Sequence, residues 1–161
     1  MELKKKIVFI LNPISGTANK TGIPYLIDTI IDKERFDCTT VFTERAGHAS
    51  ELAKKAAEEG ADIVVAVGGD GTVNEVARAI VHSGTALGIM PCGSGNGLAR
   101  HLLLPMNLKK SIDIINACEI RDLDYGIING YPFFCTCGMG FDAFVRHKFA
   151  ESGKPGPIKL P

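Results

Sequence analysis

The chain predicts an α/β fold, a parallel sheet covered by helices on both faces, followed by the start of an antiparallel β unit. Three observations carry this expectation. Short apolar runs alternate with amphipathic stretches as far as Cys118, the pattern of strands buried on both faces and linked by helical crossovers. Three of those runs end in turns rich in glycine or in Asn-Pro. Past Glu119 the alternation stops, and Asn129-Gly130 is a strong hairpin dipeptide.

In order, Ile7 to Leu11 is a branched apolar run stopped by Asn12-Pro13 and reads as a buried strand. Pro24 to Ile31 carries apolar residues at helical spacing after the start signals Thr21 and Gly22. Cys38 to Phe42 reads as a second strand, Ser50 to Glu59 as an alanine-rich helix stopped by Gly60, and Ile63 to Val67 as a third strand. Val73 to Val81 is expected to be helical, with Thr72 and Glu75 at the spacing of a capping box. Ala86 to Met90, closed by Pro91, is the fourth strand, and Leu108 to Cys118 is another amphipathic helix. Ile120 to Asn129 and Tyr131 to Cys137 then form the arms of a hairpin. A domain boundary is expected near Glu119 to Leu123, dividing residues 1–121 from a mostly antiparallel unit at 122–161. Ser152 to Pro161, with its prolines and glycines, reads as an exposed connection, so the chain is expected to be a fragment with its second domain largely missing.

With 45% hydrophobic and 22% charged residues in 161, disorder and fibrous classes are excluded. Eighteen basic residues balance eighteen acidic ones, so no global field draws the chain to nucleic acid or to anionic membrane. No run reaches the ~18 apolar residues of a membrane span, and the N-terminus lacks a secretory pattern. A cytoplasmic protein is expected. Its five cysteines, an odd number without paired metal spacing, fit reduced thiols better than disulfides or zinc.

Gly68-Gly69-Asp70-Gly71-Thr72 lies between the third strand and the following helix. Its glycines remove the Cβ atoms that would hold a ligand away from the backbone, and the helix behind it turns a partial positive charge toward the loop. That is a phosphate cradle. Asp70 beside it would repel phosphate unless a cation intervened, which points to a nucleotide with magnesium. Two more loops belong at the same carboxyl edge of the sheet, where open α/β folds bind ligands. They are Asn12-Pro13-Ile14-Ser15-Gly16 and Pro91-Cys92-Gly93-Ser94-Gly95-Asn96-Gly97. Each alone is a weak signal and the coincidence of three is a stronger one.

At these residues the chain resembles the diacylglycerol kinase catalytic-domain family, which includes sphingosine, ceramide and bacterial lipid kinases. The shared patterns are NPxSG at Asn12 to Gly16, GGDGT at Gly68 to Thr72 running into Asn74-Glu75-Val76, and PxG[ST]xN with Ala99-Arg100 following at Pro91, Gly93, Ser94 and Asn96. DxGxxNG and GxDA complete the series as Asp124, Gly126, Asn129, Gly130, Gly140, Asp142 and Ala143.

The resemblance implies a Rossmann-like, doubly wound α/β domain like that of NAD kinase, with ATP in a cleft against a β-sandwich. It makes Asn12, Pro13, Ser15 and Gly16 one wall of the ATP site and Thr43 another contact. Gly68, Gly69, Gly71 and Thr72 hold phosphates, with Asn74 and Glu75 in the same motif. Gly93, Ser94 and Asn96 form the facing loop. Asp70 becomes the candidate catalytic residue, orienting Mg2+ or water or acting as base, while bacterial relatives place a base and a further metal site in the second domain, beyond Pro161. Where the family often has an acidic or polar residue after Asn96, this chain has Gly97-Leu98, which loosens the assignment of the lipid.

The implied activity is transfer of the γ-phosphate of ATP to a lipid hydroxyl at a membrane surface, on which the protein would sit peripherally. NAD kinase shares GGDGT but lacks the third loop with its Ala-Arg pair. A dehydrogenase is disfavoured because Gly93 to Gly97 is GxGxG rather than GxGxxG. A non-catalytic nucleotide- or lipid-binding module is the reading from another class, and this stretch alone is expected to be inactive.

Overall fold

We describe a computed structural model of the chain over residues 3–14 and 20–136. Ser15, Gly16, Cys137, Gly140, Asp142, Ala143 and the stretch from Ser152 to Pro161, all singled out from sequence, lie outside the described residues.

Four parallel strands, β1 (Lys5–Leu11), β2 (Phe36–Phe42), β3 (Ile63–Gly68) and β4 (Ala86–Pro91), form one sheet in the order β2-β1-β3-β4. The helices are α1 (Ile23–Ile30), α2 (His48–Glu58), α3 (Asp70–Ile80), α4 (Gly97–His101) and α5 (Leu108–Ala117). Alternate side chains of each central strand enter different cores. Val8, Ile10, Val64 and Ala66 pack with Ala49, Ala53, Val76 and Ile80 of α2 and α3. Ile7, Phe9, Leu11, Val65 and Val67 pack with Ile23, Ile27, Ile112 and Ile115 of α1 and α5. Burial on both faces is why β1 and β3 are apolar at successive positions rather than at every second one.

The chain leaves β1 outward to β2, returns to β3 and continues outward to β4 on the other side. The strand order therefore reverses between β1 and β3, and a crevice opens at their carboxyl ends. The predicted sheet and its helical cover are present.

Local signals fared unevenly. Gly60 ends α2 as expected, at φ 77°, with Gly60 N–H on Ala57 O and Ala61 N–H on Ala56 O, a Schellman closure. The capping box does not form. Gly69, in extended conformation, is the N-cap of α3 without a side-chain bond, so the helix begins at Asp70 rather than Val73 and takes Thr72 into its first turn. The two expected capping side chains are committed elsewhere: the Thr72 hydroxyl accepts from Asn12 Nδ2 at 3.3 Å, and Glu75 Oε1 accepts the Gly47 N–H at 3.1 Å.

Beyond α5, β5 (Gly126–Ile128) and β6 (Tyr131–Phe133) form a separate antiparallel pair, shorter than the arms expected from sequence. Their turn has Asn129 at φ 49° and Gly130 at φ 80°, the paired positive angles that make Asn-Gly a hairpin dipeptide. Gly126 lies under the Phe133 ring, which fills the space a Cβ would need. Arg78 Nε donates to Pro132 O at 2.9 Å and His82 Nε2 lies 2.7 Å from Tyr125 Oη, joining α3 and the residue after it to this unit. Among the described residues no helix is long and apolar enough to cross a membrane.

Candidate functional site

The parallel register levels the strand ends, so the loops start side by side. Backbone bonding runs one residue past each ladder: Thr43 N–H reaches Leu11 O at 2.9 Å, Asn12 N–H reaches Val67 O at 3.1 Å, and Cys92 N–H reaches Gly68 O at 2.8 Å. Asn12, Thr43, the glycine turn and Cys92 thus share the carboxyl edge, as the sequence placed them. Thr43 is buried there, while Pro13, Asp70, Gly71 and Ser94 are exposed.

Asn12 spans the crevice. Its Oδ1 accepts the Ile14 N–H at 3.0 Å, closing a tight turn on its own loop, and its Nδ2 reaches Thr72 on α3. Beneath it lies Lys20, only 6% exposed, whose Nζ donates to Asn12 O at 2.7 Å. Burial pushes the lysine's pKa below its ordinary value, opposed by the neighbouring Cys92. Burial likewise pushes the Cys92 thiol up, with Lys20 acting against it. Lys20 was not a candidate from sequence: a lysine beside Thr21-Gly22 looks like a solvated loop residue, and nothing local marks it as buried.

The two glycine loops meet backbone to backbone. A Cβ on Gly93 would stand 2.5 Å from Gly69 Cα, and one on Gly69 would stand 3.1 Å from Gly93 Cα. Glycine is required at this contact because another residue would separate the loops. At Gly71, by contrast, a Cβ would meet nothing within 4 Å. That side of the turn is open, at the start of a helix whose first N–H groups have no intrahelical acceptors.

Asp70 joins the loops by its side chain. Oδ2 accepts the Asn96 N–H at 2.9 Å and Oδ1 accepts the Gly97 N–H at 2.6 Å. A Cβ on Gly95 would come within 2.6 Å of Oδ2. Asn96, buried and left-handed at φ 55°, folds its side chain back on the loop, accepting the Gly93 N–H at 2.9 Å and donating to Gly93 O at 2.7 Å. Arg100 Nε donates to Gly95 O at 2.8 Å, so the arginine closes its own loop. Asn74 is half-buried on α3, and Glu75, bonded to Gly47, links α3 to the loop before α2.

Of the residues picked from sequence, Asn12, Gly69, Asp70, Thr72, Gly93 and Asn96 are therefore connected by direct contacts, while Ser94 lies exposed beside them. Among the described residues no group of three or more His, Cys, Asp or Glu side chains is placed to hold a metal alone. Asp70 is the carboxylate at the junction, and a single carboxylate with phosphate oxygens and water suffices for magnesium.

Comparison with known proteins points in one direction. Residues 6–128 match the sequence model of the diacylglycerol kinase catalytic domain. The chain is 33% identical over 141 residues to a diacylglycerol kinase of Staphylococcus saprophyticus, covering 86% of this chain and 46% of that protein. To the diacylglycerol kinase of Staphylococcus haemolyticus it is 35% identical over 143 residues, covering 86% and 42%. A crystal structure of a diacylglycerol kinase from Bacillus anthracis superposes with a TM-score of 0.69 at 26% identity, over 80% of this chain and 48% of that one. The chain thus spans less than half the length of these relatives.

Proposed function

Because the chain belongs to the diacylglycerol kinase catalytic-domain family, we propose that it is the nucleotide-binding half of an ATP-dependent lipid kinase that transfers the γ-phosphate to the hydroxyl of a diacylglycerol or sphingoid-type acceptor. The observation that supports this best is the convergence of three loops on one crevice, joined by the Asp70 bonds to Asn96 and Gly97, the Gly69–Gly93 contact and the Asn12–Thr72 bond.

In this reading the phosphates lie on the open side of the turn at Gly71, against the N–H groups that begin α3. Asn12, with the loop through Ser15 and Gly16, forms one wall, and Gly93 and Ser94 the other. Thr43 completes the pocket near the first wall. Magnesium carried with the nucleotide would neutralise phosphate charge. Asp70 accepts one N–H on each oxygen, and each oxygen keeps a further lone pair for the metal or its water. We assign Asp70 this orienting role and place the base that deprotonates the acceptor in a second domain that starts near residue 122. Transfer then depends on positioning, charge and exclusion of water as the cleft closes. The whole protein would work as a cytoplasmic enzyme, peripheral to the membrane.

The test is a phosphorylation assay of the whole protein with ATP and diacylglycerol, sphingosine, ceramide or NAD as acceptor. Transfer to a lipid is expected. Transfer to NAD alone would overturn the proposal.

A further inference from the structure

Helix α4 ends as α2 does, but with the wrong residue for the job. Leu103 N–H bonds to Arg100 O at 3.0 Å and Leu104 N–H to Ala99 O at 2.8 Å, the Schellman closure that Gly60 and Ala61 make on α2. Its left-handed position, at φ 56°, is filled by leucine instead of glycine. The strain brings no packing in return: Leu103 is 89% exposed, and Leu102 and Met106 beside it are exposed as well.

A second local rule is broken next to it. Lys109 and Lys110, both exposed, stand in the first turn of α5 with no acidic residue there, at the helix end where the backbone dipole disfavours cations. No acidic residue occurs in the sequence from 76 to 112. Apolar tip and cations are brought together, since Ser111 Oγ bonds to Pro105 O at 3.0 Å and folds the loop onto that first turn.

The orientation gives the patch a use. The far end of α5 sits beside the start of β2, where Asn116 accepts the Asp32 N–H at 2.9 Å. Its first turn therefore lies at the carboxyl edge, on the side of the molecule where the phosphate loops open. The geometry points to the loop at 102–106, with Lys109 and Lys110, as the surface by which the protein docks on an anionic lipid bilayer. Leu103 enters the headgroup–acyl boundary and the lysines meet lipid phosphates. Violations of local preference with no gain inside the fold are expected at functional surfaces. The inference rests on the lipid-kinase reading for its purpose and on the patch for its geometry.

The experiment is sedimentation of the whole protein with phosphatidylglycerol-rich vesicles and with pure phosphatidylcholine vesicles, without ATP. Wild-type protein should favour the anionic vesicles, and salt should weaken the preference. Leu103→Asn, whose new residue tolerates the left-handed backbone, should bind on the order of tenfold more weakly while melting no lower than wild type. Lys109→Gln with Lys110→Gln should lose binding to a similar extent, about tenfold, together with the salt dependence. Unchanged sedimentation of Leu103→Asn would overturn the inference, and so would a lowered melting temperature, which would mean that the leucine is covered by protein. Phosphorylation of a short-chain diacylglycerol dispersed as monomers separates the two claims. Transfer without vesicle binding defeats the docking surface alone, and vesicle binding without transfer to any lipid defeats the kinase reading alone.

Discussion

At Gly69 a fully buried strand passes directly into a helix of eleven residues, whereas the loop at 92–96 joins an edge strand to a helix of five. The first takes its shape from what it connects: β3 fixes where it starts, and α3, packed through Val76 and Ile80, fixes where it ends. The second is held from the side. Asp70 supplies the acceptors for the Asn96 amide and for the Gly97 amide that begins α4, and Asn96 supplies a donor and an acceptor to a third residue, Gly93. One loop is a frame and the other is tied to it.

The harshest test attacks their contact. Gly93→Ala drives a Cβ into the Gly69 backbone, which has no side chain to move aside, and should cost about 3 kcal/mol in urea denaturation. An unchanged midpoint would mean that the loops do not touch in solution. Asp70→Asn removes the charge and turns an NH2 group toward one of the two amides. It should lower lipid phosphorylation by about 100-fold or more while costing about 1–2 kcal/mol of stability. Near-wild-type turnover would exclude Asp70 from catalysis, and an unchanged urea midpoint would discount its bonds to the second loop.

Asn96→Ala acts on the tied loop, losing the bonds to Gly93 and the contact of Nδ2 with Met106 Sδ and leaving a strained residue at φ 55°; about 2 kcal/mol is expected by denaturation. Asn96→Gly, which keeps the backbone conformation available, should cost less, and equal costs would discount the strain. The smallest effect concerns the frame's other neighbour, Asn12. Burial lowers the pKa of Lys20, so between the folded and the unfolded pKa the unfolded chain binds more protons and the lysine's own contribution to stability rises with pH across that alkaline window, while the raised Cys92 and Cys38 thiols contribute in the opposite sense. Lys20→Met removes the rising part, so its urea midpoints should fall more steeply with pH through that window than those of the wild type, and parallel profiles would discount the lysine.

How much of this was legible follows from what residue identity can encode. The sheet was readable because residues 7–11 and 63–67 are apolar on both faces, and the hairpin because Asn129-Gly130 suits only a few backbone angles. The two glycine loops were readable from their glycines, and the end of β1 from Asn12-Pro13. The start of α3 was not: Thr72 and Glu75 have capping spacing, but their partners, Asn12 and Gly47, are 60 and 28 residues away in sequence. The short helix α4 carries too few residues to show a period. The bonds of Asp70 could not be foreseen either, since they end on backbone amides, which every sequence has.

Helix α3 has a mechanical consequence. Its first residue is Asp70, and near its other end Arg78 and the following His82 hold Pro132 and Tyr125. Across about 16 Å it is a single helix with the glycine turn at one tip and the antiparallel unit bonded at the other. The same helix, through Asp70, also carries the bonds to the loop tied beside it. A label on the hairpin is therefore expected to report a substitution such as Asp70→Asn at the opposite end of the helix, and an unchanged signal would show that the two ends are independent.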